Sequence, residues 1–114
     1  MAGTEIPMPA FTLQDLEKRI KDRAKASADL SYTRKLLDRG VAHCAKKLGE
    51  EAIETALAAV SEDRERLVAE AADLIYHLLV VLQARGIPLA DVEAVLAERS
   101  TQSGLDEKAS RKRV

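Results

Sequence analysis

Two acidic clusters hold the residues of this chain best suited to chemistry. Glu50, Glu51 and Glu54 form one, Glu70 and Asp73 the other. On helices turning about 100° per residue, Glu50 and Glu54 share a stripe with Glu51 beside them. Glu70 and Asp73 share a second stripe, with His77 one turn further on. Ile53 and Leu57 flank Glu54, and Leu74 and Val81 flank the second stripe, which puts the acids at the border of a core. Like charges so spaced repel by a few tenths of a kcal/mol per pair, and by more when partly desolvated, and a cation relieves that repulsion. All-oxygen donors suit Mg²⁺, Mn²⁺ or Ca²⁺. A di-iron bundle needs Glu-x-x-His pairs, whereas His43 follows Gly40 and His77 follows Leu74 at that spacing. Mg²⁺ held by a few carboxylates keeps waters and accepts phosphate oxygens, and such an ion would neutralise a phosphate chain and position water for in-line attack, although E-x-x-E also arises on ordinary solvated helix faces.

Lys46 and Lys47, one turn before the first cluster, are placed to meet such phosphates. They serve equally as a solvated face paired Lys46 to Glu50 or Lys47 to Glu51. His77 reads as a hydrogen-bonded histidine at the core edge, His43 as a surface residue and Tyr76 as packing. Gly49, in mid-helix, costs stability relative to Ala and leaves room for a close approach.

The elements that must carry these residues are helical. Residues 1–10, with Pro7 and Pro9, form an extended leader. Thr12 caps a first helix, Asp15 completes a capping-box pattern, and Leu13, Leu16 and Ile20 form its apolar stripe. Ser31 opens a short helix that Gly40 ends. A long helix covers 41–60, and Ser61 is positioned to cap the next. There Leu67, Ala71, Leu74, Leu78 and Val81 or Leu82 recur at helical spacing until Gly86. After Pro88 a last helix, 89–98, turns Val92, Val95 and Leu96 inward. Residues 100–114 form a polar tail with Lys108, Arg111, Lys112 and Arg113.

At 114 residues the chain makes one domain with a modest core, which favours oligomerisation. Its apolar content is mostly Ala, Leu and Val, and aromatic residues are only 3%, favouring helix over strand. Eighteen basic and 19 acidic residues give a net charge of −1, without the basic footprint of a nucleic-acid binder. The lone Cys44 excludes an internal disulfide and reads as a buried hydrophobe in a reducing compartment. The N-terminus lacks the features of a signal peptide, and the longest apolar run, 78–82, is far short of a membrane span. A cytoplasmic location is expected.

The runs S-Y-T-R-K-L-L from Ser31, K-K-L-G-E-E-A-I-E from Lys46 and E-A-A-D-L-I-Y-H from Glu70 resemble those of phosphoribosyl-ATP pyrophosphatases. The likeness spans about residues 11–99. E-E-x-x-E followed by E-x-x-D resembles the wider MazG-like group of helical nucleotide pyrophosphohydrolases, which leaves the substrate open. The Ser-Tyr-Thr segment and the Lys-Lys-Leu-Gly-Glu-Glu run narrow it to the histidine-biosynthesis branch.

The resemblance implies an all-α bundle of four to five helices completed by dimerisation. It implies Mg²⁺ on Glu51, Glu54, Glu70 and Asp73, with Glu50 orienting or deprotonating water. Lys46 or Lys47, with Arg34 or Lys35, would contact phosphates. The expected enzyme is monofunctional, because the cyclohydrolase fused to it elsewhere needs a cysteine-rich metal site. The rival functions are a house-cleaning nucleoside-triphosphate pyrophosphatase and a non-catalytic helical interaction module.

Overall fold

A computed structural model describes residues 10–101, together with Gly104 and Arg111. The leader, residues 1–9, and Lys108, Lys112 and Arg113 of the tail lie outside the described residues. Five helices follow one another with no strand among the described residues: α1 Leu13–Ala24, α2 Tyr32–Asp38, α3 Val41–Ser61, α4 Arg64–Ala84 and α5 Leu89–Arg99.

Local signals fix most of the boundaries. The Thr12 hydroxyl accepts the Asp15 N–H at 3.1 Å while the Asp15 carboxylate accepts the Thr12 N–H at 3.0 Å, a reciprocal cap. The Ser31 hydroxyl accepts the Arg34 N–H and donates to the Arg23 carbonyl, so one buried side chain starts α2 and ties it to the end of α1. Gly40, at φ +94°, turns α2 directly into α3, and Gly86, at φ +67°, ends α4; both conformations favour glycine.

One cap differs from expectation. Asp63, not Ser61, starts α4, its carboxylate accepting the Arg66 N–H at 2.9 Å. Ser61 is the last residue of α3 and donates to the Leu57 carbonyl. An acid at a helix N-terminus gains from the helix dipole as well as from the hydrogen bond, which favours the later start.

The 21-residue helices α3 and α4 form a long antiparallel hairpin, each about 31 Å long at 1.5 Å per residue. α1 and α2 pack against one end of it. The core gathers there: Ile20, Leu36, Cys44, Leu79, Val80 and Leu89, with Leu16, Leu37 and Tyr76 against it. Cys44 is buried as expected, its thiol donating to the Leu36 carbonyl. Pro88 offers no side-chain cap, and Glu17 of α1 accepts the Leu89 N–H at 2.7 Å instead.

The other end of the hairpin is bare. Among the described residues Ile53 (64% exposed) and Leu57 (62%) border no core, contrary to the sequence reading, and Val60 beside them is 88% exposed. The fully buried residues of α4 are Glu70, His77, Leu79 and Val80, while Leu67, Ala71 and Leu74 are only half-covered and Leu78 is exposed. α5 departs likewise: Leu89 is buried and Val92 half-buried, but Val95 and Leu96 are exposed. Its first turn is anchored in the core, Glu93 accepts a hydrogen bond from Gln14 of α1 at 2.8 Å, and no described residue covers Val95 and Leu96. By length and mean hydropathy α4 alone among the described helices could cross a membrane, but Glu70 and Asp73 within it would be costly in hydrocarbon.

Candidate active site

The hairpin brings the two acidic clusters together. One carboxylate oxygen each from Glu51, Glu70 and Asp73 lie within 4.8 Å of one another. Glu54 stands beside them, and its carboxyl raises the pKa of both Glu51 and Glu70. Thr55 locks the register, its hydroxyl sitting 2.7 Å from the Glu51 carbonyl and 3.0 Å from the Glu70 carbonyl across the helix pair. No sequence pattern pointed to Thr55, because its role depends on which residue of α4 lies opposite.

The electrostatics are those of a crowded acidic site only partly compensated by Arg66. Burial, then the Glu54 carboxyl, then Asp73 and Glu70 push the Glu51 pKa up to about 7. Glu70, buried at 6% exposure, is also raised, by burial first, although Arg66 at 3.3 Å opposes the shift. One oxygen of Glu51 and one of Glu70 are buried with no hydrogen-bond partner. Buried oxygens without a donor are costly, so a group of the opposite charge fits here. Three clustered carboxylates, two of them with an unpartnered buried oxygen, form a hard-donor set that suits Mg²⁺ or Mn²⁺.

The remaining expected site residues lie around this cluster. Glu50 pairs with Lys47 at 3.1 Å, and that contact holds its pKa below the usual value. The pairs expected from Lys46 to Glu50 and from Lys47 to Glu51 do not form: three residues, not four, separate Lys47 from its partner, and Glu51 turns into the acidic cluster. Lys46 is exposed. The Arg34 guanidinium spans Asp38, at 2.8 Å, and the Ala26 carbonyl, at 3.1 Å, bracing the α1–α2 link. Lys35 and Lys47 line an open cleft between α2 and α3, together with His43, which is half-buried rather than on the surface.

His77 is buried with Nδ1 unpartnered, not hydrogen-bonded there as expected. Its ring meets Tyr76 edge-on at 5.0 Å, and burial depresses its pKa. Tyr76 packs as expected, its hydroxyl 2.6 Å from that of buried Thr33. Thr33 and Ser31 thus spend their hydroxyls on structure, while Tyr32 between them is exposed. A Cβ added at Gly49 would meet nothing within 4 Å among the described residues.

The family model for phosphoribosyl-ATP pyrophosphohydrolase matches residues 13–100, all five helices. The chain belongs to the phosphoribosyl-ATP pyrophosphohydrolase family. Among its relatives in this family is phosphoribosyl-ATP pyrophosphatase 1 of Bradyrhizobium diazoefficiens, 62% identical over 105 residues that cover 92% of this chain and 99% of the relative. The phosphoribosyl-ATP pyrophosphatase of Nitrobacter winogradskyi is 60% identical, covering 93% and 91%, and that of Rhizobium meliloti is 56% identical, covering 91% and 97%. Family membership thus covers both arms of the acidic site and the whole described fold.

Proposed function

We propose that the protein hydrolyses the α–β phosphoanhydride of 1-(5-phosphoribosyl)-ATP to 1-(5-phosphoribosyl)-AMP and pyrophosphate, the second step of histidine biosynthesis. The observation that carries this reading is the meeting of Glu51, Glu70 and Asp73, with an unpaired buried oxygen on Glu51 and on Glu70, in a chain of this family. Glu51, Glu54, Glu70 and Asp73 would hold Mg²⁺. When bound, the ion supplies charge neutralisation for the phosphate chain and a site for ordered water.

The protein's own residues then divide the remaining work. Glu50, kept ionised by Lys47, stands outside the cluster and is the carboxylate available to orient the attacking water and take its proton. The water oxygen bonds to one phosphorus of the α–β anhydride, and the bridging oxygen leaves with the other. Lys46 and Lys47 bind the leaving phosphates. Of the α2 cations, Lys35 has the uncommitted head group, while Arg34 contributes chiefly by bracing the helix that carries it.

The bare apolar end of the hairpin, with Ile53, Leu57 and Val60, supports a homodimer in which a second copy covers the face beside the acids. The net charge of −1 gives the protein no basic footprint of the kind that binds nucleic acid. Phosphorus NMR of a reaction with phosphoribosyl-ATP tests the bond cleaved. Pyrophosphate as the first phosphorus product is expected, and release of single orthophosphates would contradict the proposal.

A further inference from the structure

The cleft between α2 and α3 encloses about 540 Å³ and is walled by Lys35, Arg39, His43 and Lys47, with the 55%-exposed ring of Tyr32 beside them. Its positive charge is only partly balanced. The one carboxylate lining it, Asp38, is held by Arg34 at 2.8 Å, and Lys47 is held by Glu50 at 3.1 Å. Neither Lys35 nor Arg39 has a carboxylate within ion-pair distance among the described residues. The His43 pKa is depressed by its surroundings, first by burial and then by Arg39, Lys46 and Lys47. A concave site with surplus cations in a chain of net charge −1 calls for an anion.

Its position suggests which anion. His43, Lys47 and Glu51 recur every four residues along α3, so the cleft and the carboxylate cluster share one side of that helix. His43 lies two turns from Glu51, about 12 Å at 1.5 Å per residue. The three phosphates of a triphosphate are joined through single bridging oxygens and must crowd around the acidic site and Lys47. The phosphate that stands apart from them is the one on the second ribose, across the purine ring.

Taking phosphoribosyl-ATP as the substrate, we infer that the α2–α3 cleft receives the 5-phosphate of its second ribose, bound by Lys35, Arg39 and His43, with Tyr32 stacking on the base. The arginine fork and the lysine ammonium suit a terminal phosphate dianion. An exposed tyrosine ring offers the base a stacking surface. ATP lacks this phosphate, so the cleft is where the enzyme tells its substrate from ATP.

The test is the KM for phosphoribosyl-ATP beside the Ki of ATP as a competitor, in the full-length protein and in its Arg39→Ala and Lys35→Ala variants. Both side chains are exposed and carry no structural hydrogen bond, so the variants fold. Loss of a charge-assisted phosphate contact raises KM about tenfold or more, and the Ki of ATP moves far less. Arg39→Lys recovers part of the loss. Equal shifts in KM and Ki, or no shift in either, would overturn the inference while leaving the activity standing. A wild-type protein that cleaves ATP but not phosphoribosyl-ATP would instead overturn the substrate reading on which it rests.

Discussion

Replacing Glu51 by glutamine removes one charge from the acidic cluster at nearly constant volume, and the structure gives the sign and size of the response. Glu51 is held at about 7 against an ordinary 4.5. Between those values the folded, metal-free chain keeps a proton that the unfolded chain has released, so stability falls as pH rises through that window. The full cost above pH 7 is about 3 kcal/mol at most. Partial exposure and the titration shared with Glu54 reduce the expected gain from Glu51→Gln at pH 8 to about 1–2 kcal/mol. That is roughly 5–10 °C in Tm for a domain of this size. At pH 4.5 or below, where wild-type Glu51 is protonated, the variant gains almost nothing. The assay is urea unfolding of chelator-treated protein at both pH values and fixed protein concentration. Added Mg²⁺ should stabilise the wild type at pH 8 and the variant much less. A variant that keeps the wild-type pH slope would refute the reasoning, because the destabilising carboxyl would then lie elsewhere.

Asp73→Asn and Glu54→Gln should each abolish turnover while preserving or raising metal-free stability, as read by pyrophosphate release and urea unfolding; near-normal turnover would show that the residue is not a ligand. Thr33→Val breaks the hydroxyl contact with Tyr76 and leaves a half-buried phenol without its partner, costing about 1–2 kcal/mol in chemical unfolding. Leu57→Glu puts a charge on the bare end of the hairpin. Sedimentation should find the wild type dimeric and this variant monomeric, and a variant that stays dimeric would place the interface elsewhere.

The acidic residues were legible because helix periodicity alone carries their spacing: E-E-x-x-E and E-x-x-D fix which carboxylates share a side. Glycine chemistry made Gly40 and Gly86 equally legible as boundaries. What the sequence hid depends on the third dimension. Ile53 and Leu57 have the pattern of core residues, yet no described element covers them. The leucine stripe of α4 from Leu67 is strongly periodic, but the side buried within the chain is the one bearing Glu70, His77 and Val80. Thr55 and Thr33 are ordinary helix residues until their partners across the bundle are known. Arg39 and His43 sit on either side of Gly40, and His43 has the look of a surface residue in sequence. The turn at that glycine folds them into one cleft with Lys35 and Lys47.

The central claim, a metal-dependent hydrolase selective for phosphoribosyl-ATP, is tested most directly by pyrophosphate release from phosphoribosyl-ATP, ATP and dUTP in parallel, with Mg²⁺ and with chelator. Turnover confined to phosphoribosyl-ATP and lost with chelator is the predicted result. Preferred cleavage of ATP or dUTP would make the protein a nucleotide-pool enzyme, and turnover that survives chelation would contradict the role assigned to the carboxylates.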